Sequence, residues 1–238
     1  MGSDDLHKKT NSVKNRRKRE SKKIELLALE NRQRQPGNKE IPKIFIISDD
    51  TKSIVYYLKG FQNANKINQK NLTIEGYGFD QFHLAEKAKE KAKDYDCVFC
   101  LFDQDAGHKN DPHYKKYRQA LDLIKNYHNI AAITSVPCYE IWLLLHFKYI
   151  DKPFTNTENK SICNMVISEL RTCDGMQDYE KKKGEGKADE KIYQKMKPYM
   201  ETALQNAELL EKSNERNHTD NPSTKIHVLI KDLQRHFG

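Results

Sequence analysis

The chain has 238 residues, 37% of them hydrophobic and 32% charged, with a formal net charge of +8. That length suits one α/β domain with a helical extension, or two small domains, and the apolar residues fall in defined runs able to bury a core. No run of about 18 apolar residues occurs, which excludes a transmembrane helix, and the polar start is not that of a signal peptide, so a cytoplasmic protein with no membrane attachment is expected.

Charge is unevenly spread. Residues 1–40 hold twelve Lys or Arg against six Asp or Glu, so the body from residue 41 is close to neutral. This arm, with its basic block from Lys14 to Lys23, reads either as a nucleic-acid contact or as a solubilising tail. Ala, Leu, Glu, Lys and Arg without a breaker predict a helix over residues 17–34, ended by Pro36-Gly37.

From residue 41 the pattern becomes regular. Ile44-Phe45-Ile46-Ile47 is an unbroken β-branched and aromatic run, as in a strand buried on both faces. A helix is predicted over 52–65, then a strand at 72–74 closed by Gly76 and Gly78. An amphipathic helix follows over 79–95, with Phe82, Ala85, Ala88 and Ala92 at helical spacing. Residues 97–102 make a third strand, 114–127 a helix with Tyr117, Leu121 and Ile124 on one face, 130–133 a fourth strand, and 141–147 a strongly apolar helical segment. This β-α-β-α-β-α-β-α order predicts an α/β fold: a parallel sheet of about four strands, helices on both sides, right-handed crossovers. Cys97 and Cys100 form a CxxC inside the third strand. Residues three apart there point to opposite faces, so buried thiols are expected, and no second Cys/His pair stands at zinc-ligand spacing. With five cysteines and no secretion signal, free thiols in a reducing compartment are expected.

After residue 150 no further strand is expected. Helices are predicted over 162–170 and 193–210, the second kinked or broken at Pro198. Between them lies a basic, glycine-containing loop, Lys181-Lys182-Lys183-Gly184-Glu185-Gly186-Lys187. Asn221-Pro222-Ser223-Thr224 reads as the cap of a closing helix carrying Ile226, Leu229, Ile230 and Leu233. The expected organisation is a basic, partly helical arm (1–40), an α/β domain (41–150) and a helical C-terminal extension (151–238).

Open α/β sheets bind ligands beyond the carboxyl ends of their strands, and acidic residues collect there. Asp49 and Asp50 follow the first strand, Asp103 and Asp105 the third, and Glu140 the fourth. So many carboxylates on one rim repel one another without a cation, and all-oxygen donors suit Mg²⁺ or Mn²⁺. In Asp103-Gln104-Asp105, extended geometry would point both carboxylates the same way; the alternative is that they are turn and cap aspartates. Lys52, at the start of the first helix, is a candidate phosphate contact or a solvated lysine. His108 and His113 sit near the aspartate pair as candidate acids, bases or surface residues. Trp142 and Leu143-Leu144-Leu145 are expected in the core, with His146 as a buried, hydrogen-bonded histidine.

These segments also carry a resemblance. IFIISDDTKSIVYYLKGF from Ile44 to Phe61, FDQD from Phe102 to Asp105, SVPCYEIWLLLHF from Ser135 to Phe147 and the tail Asn221-Pro222-Ser223-Thr224 resemble the RloB-like family of Toprim-fold proteins, over residues 41–238. The resemblance implies a Toprim fold, a divalent metal (Mg²⁺ or Mn²⁺), nuclease activity, and a role in phage defence or abortive infection beside an ATPase of the ABC/SMC-like kind. It implies Asp103 and Asp105 as metal ligands, Asp49 as acid/base or further ligand, and Glu140 as a further ligand or orienting residue. Lys52, Lys181, Lys182, Lys183 and Lys187 would then hold the backbone of DNA or RNA. The sequence departs from the family at the first strand. Where the family motif resembles CEGEKTE, this chain has Ser48-Asp49-Asp50-Thr51-Lys52-Ser53-Ile54, so Asp49 stands where the family has glutamate. Two rival readings follow. One is a catalytically degraded Toprim module that binds nucleic acid or an ATPase. The other is a phospho-receiver domain, against which stands the apolar helix after the fourth strand, where a receiver has a fifth strand followed by lysine.

Overall fold

The computed structural model describes residues 41–104, 111–156, 160–181 and 191–237. The helix expected over 17–34 and the rest of the basic arm lie outside the described residues.

The sheet has the order β2-β1-β3-β4-β5. Strands β1 (Ile44–Ser48), β2 (Leu72–Gly76), β3 (Cys97–Asp103) and β4 (Ile130–Val136) are parallel. Helix α1 (Ser53–Ala64) joins β1 to β2, α2 (Gln81–Lys91) joins β2 to β3, and α3 (Pro112–Ile124) joins β3 to β4. Strands β1, β3 and the first half of β4 are apolar runs because both of their faces are covered, whereas the edge strand β2 alternates between buried and half-buried residues. Ile44, Ile46, Phe99, Leu101 and Ile133 pack with α1 and the later helices, whereas Phe45, Ile47, Val98, Phe102 and Ile130 pack with α2 and α3. The alternation separates the two thiols of the CxxC: both are buried, Cys97 in the first cluster and Cys100 in the second.

The C-terminal helices share the first of these cores. Helix α4 (Glu140–Leu145) is wholly buried; α5 (Ile162–Leu170), α6 (Ile192–Met196), α7 (Met200–Asn217) and α8 (Ile226–Phe237) close over the same side. Pro198 divides the predicted helix of residues 193–210 as expected: a 3₁₀ turn at Lys197–Tyr199 separates α6 from α7.

The C-terminal tail departs from the sequence expectation. A fifth strand exists after residue 150: β5 (Ser223–Thr224) pairs antiparallel to β4, Ser135 with Thr224 and Val136 with Ser223. A two-residue strand has no periodicity to read; its partner strand supplies the pairing. The capping role holds as well, because Thr224 Oγ1 accepts the Ile226 N–H at 3.2 Å. Asn221 clamps the tail to the start of the extension, accepting the Phe154 N–H at 3.2 Å and donating to the Phe154 carbonyl at 2.6 Å.

His146 illustrates how the core constrains a polar group. Its Nδ1–H donates to the Trp142 carbonyl at 2.9 Å, and its Nε2 faces the Tyr57 hydroxyl at 3.3 Å. Burial lowers its pKa from 6.5 to about 4. Below pH 6.5 the unfolded chain takes up a proton that the folded chain refuses. The stabilisation from neutral His146 is therefore complete above about pH 6.5 and is lost as pH falls towards 4, by about 3 kcal/mol in all. Urea midpoints between pH 7 and 4 are expected to fall more steeply for wild type than for His146→Gln; parallel slopes would remove this residue from the acid limb.

Candidate functional site

The carboxyl edge of the parallel strands holds a small cleft lined by Ser48, Asp49, Asp50, Asp103, Ser135 and Tyr139, among others. Asp103 is the last residue of β3 and lies in register with Ser135 of β4, which in turn pairs with Thr224 of β5. Alternation along β3 puts Asp103 on the same face as Leu101, towards α4 and the C-terminal extension. Its backbone is fixed from two sides: its N–H donates to Asp49 Oδ2 at 3.2 Å, and its carbonyl accepts Gln81 Nε2 at 3.1 Å. Asp49 is itself seated by its N–H to the Leu101 carbonyl at 3.1 Å. The Asp49 carboxylate thus meets the backbone of Asp103.

Asp50 has a different task. Its Oδ1 accepts the Lys52 N–H at 2.7 Å and its Oδ2 the Ser53 N–H at 3.1 Å, so it caps the start of α1. The turn is packed tightly against β2. A Cβ on Gly76 would meet the Asp50 carbonyl oxygen at 2.4 Å and the Thr51 Cα at 2.7 Å. Because both obstacles are backbone, Gly76→Ala is expected to cost ~1–3 kcal/mol and to displace Asp49. A lowered urea midpoint together with weakened divalent-ion binding checks this. Lys52 places its Nζ in a buried position with no hydrogen-bond partner among the described residues.

Glu140 begins α4 and is completely buried. Its Oε1 accepts the Tyr179 hydroxyl at 3.1 Å, while its Oε2 makes no hydrogen bond among the described residues. Burial, and then the neighbouring Glu140, push the Tyr179 pKa well up, so the phenol stays a donor. Burial does the same for Tyr139. Lys181 completes the group. Its Nζ stands 3.6 Å from Glu140 Oε2 and 3.8 Å from Asp103 Oδ2. Residues 179–181 are neither helix nor turn, and in extended chain residues two apart face the same way. Tyr179 and Lys181 therefore reach one carboxylate together. Tyr179 and Gln81 were not among the residues the sequence singled out; the only trace was an aromatic and a cation two apart beside the basic loop.

Asp105, His108, Lys182, Lys183 and Lys187 lie outside the described residues. His113 is exposed in the first turn of α3. Among the described residues, no three His, Cys, Asp or Glu side chains form a group that could hold a metal ion. The fifth strand does have a lysine after it, but Lys225 Nζ pairs with Glu211 of α7. With β5 antiparallel, the arrangement a phospho-receiver needs is not built.

The fold and site define an α/β protein with an acidic centre beyond the carboxyl ends of a parallel sheet, completed by its helical extension. Within that class the chain belongs to the RloB-like family: the family described as RloB-like protein matches residues 44–233, from the first residue of β1 into α8. Neither a curated protein nor a solved structure matches it. Among the described residues no helix is long and apolar enough to cross a membrane.

Proposed function

We propose that the chain is a divalent-metal-dependent Toprim-type nuclease that cleaves phosphodiester bonds of DNA or RNA in defence against phage, together with an ATPase partner. One observation carries the reading: Asp103, at the end of β3, and Glu140, at the start of α4, both face a cationic group, the Lys181 ammonium. The donor set suits a hard cation. It is all oxygen, and Glu140 Oε2 is buried without a hydrogen bond among the described residues. Asp103 and Glu140 would hold a Mg²⁺ or Mn²⁺ ion, with Asp49 beside them and Asp105 the family-implied addition. The bound ion would polarise a phosphate oxygen and neutralise developing charge.

The protein's own groups do the rest. Asp49 holds the Asp103 backbone by its Oδ2 and is the family-implied acid or base for the attacking or leaving oxygen. Tyr179 fixes the orientation of the Glu140 carboxylate. The buried Lys52 ammonium is a ready counter-ion for a substrate phosphate. Incubation with mixed DNA and RNA substrates in Mg²⁺ or Mn²⁺, against a chelator control, tests the reading. Metal-dependent strand cleavage is expected; its absence with and without an added ABC/SMC-like ATPase would overturn it.

The second reading, a binding module without catalysis, draws on Asp49. Its side chain is one methylene shorter than glutamate, and one of its oxygens already serves the Asp103 backbone. Metal and nucleic-acid binding without cleavage would mark that case.

A further inference from the structure

We infer that Lys181 is a built-in occupant of the acidic centre, so that its ammonium and a divalent ion compete for Asp103 and Glu140. This rests on the metal reading above.

The ammonium is placed between two carboxylates drawn from different parts of the chain, 3.8 Å from Asp103 Oδ2 and 3.6 Å from Glu140 Oε2. Both acids are buried, Asp103 at 8% exposure and Glu140 at 0%. Two buried carboxylates repel each other, and a positive charge near both offsets that repulsion. Lys181 supplies that charge from the helical extension rather than from the sheet. Its placement is built in: Tyr179, two residues earlier, is anchored to the same carboxylate through its hydroxyl, and Arg171 Nε donates to the Tyr179 carbonyl at 2.8 Å. The lysine side chain is 35% exposed, so its flexible stem can swing the ammonium into water.

A divalent ion carries twice the charge and can be contacted by both carboxylates directly. Once it is bound, the ammonium is repelled and must leave. The measured affinity for metal therefore includes the cost of expelling Lys181. In the metal-free protein Lys181 offsets the charge of the two acids; with metal bound, its half-exposed side chain would turn towards solvent. Lys181 is thus a positioning residue that sets the threshold for metal loading.

The experiment uses the full chain as wild type, Lys181→Met and Lys181→Arg. Mn²⁺ binding is titrated by calorimetry, and thermal unfolding is followed in chelator and in Mn²⁺. Lys181→Met is expected to melt lower than wild type in chelator, because two buried carboxylates lose a nearby positive charge. It is expected to bind Mn²⁺ at least ~5-fold tighter, the lower end of coupling between competing ligands. Lys181→Arg keeps the charge and is expected to stay close to wild type. If Lys181→Met binds Mn²⁺ as well as or more weakly than wild type, competition is overturned while the metal reading stands. If no variant binds Mn²⁺, yet Lys181→Met still melts lower in chelator, the metal reading itself fails and competition fails with it.

Discussion

Asp103→Asn is expected to reduce metal-dependent cleavage by more than the ~10–100-fold that loss of a group behind a metal ligand costs, with little change in stability. The two effects separate because the backbone and the side chain of Asp103 do different things. The backbone holds the end of β3, through its N–H to Asp49 and its carbonyl from Gln81. Neither bond uses the carboxylate, so an isosteric amide leaves them in place. The carboxylate faces the Lys181 ammonium across 3.8 Å and shares it with Glu140. Asparagine removes the charge that draws a cation there, leaving Glu140 alone on that side. Cleavage rates at saturating Mn²⁺, set beside thermal unfolding of the same preparations, check the prediction. Wild-type rates from a folded Asp103→Asn protein would remove this residue from the chemistry.

The largest effect on stability is expected from Trp142→Ala, about 3–5 kcal/mol, a substantial share of the ~5–15 kcal/mol that holds a typical domain. Trp142 is fully buried in α4, with its ring edge-on to Tyr57 of α1 and to His146 at the end of its own helix. Tyr57 also stands edge-on to Tyr139 and to Tyr193 of α6. Removing the indole opens the point where the sheet, α1 and the C-terminal helices meet. Collapse of the cavity is hindered, since each neighbour is already committed to another ring. Trp142 is the sole tryptophan, so the variant is followed in urea by far-UV circular dichroism rather than by fluorescence. A loss under about 1 kcal/mol would mean that the surrounding rings repack freely, contrary to the rigidity expected of close-packed interiors.

The alternating pattern of the chain was legible because the inner strands are buried on both faces and the connecting helices on one. Such runs are local properties: the apolar blocks at 44–47, 97–102 and 130–133 announced β1, β3 and β4, and Pro198 announced the break between α6 and α7. The acidic residues at strand ends were legible for the same reason, since a strand's end fixes which edge of the sheet its next side chain occupies. The tail was not. Ser223 and Thr224 form a strand only because β4 offers them an unpaired edge, and nothing within two residues encodes a partner.

The site divides along the same line. Sequence by itself set Asp49, Asp50, Asp103, Asp105 and Glu140 after strand ends, an expectation that rests on parallel strands placing their carboxyl ends together. Tertiary structure alone decided what those carboxylates meet. Asp50 was turned into a helix cap, Asp49 was given a backbone N–H to hold, and Lys181, read in sequence as part of a basic loop, was brought onto the acids by the packing of the extension over α4. The physical reason is range. Periodicity and strand-end position act over a few residues, whereas the charge that balances Glu140 comes from a side chain some forty positions further on, delivered by a shared hydrophobic core.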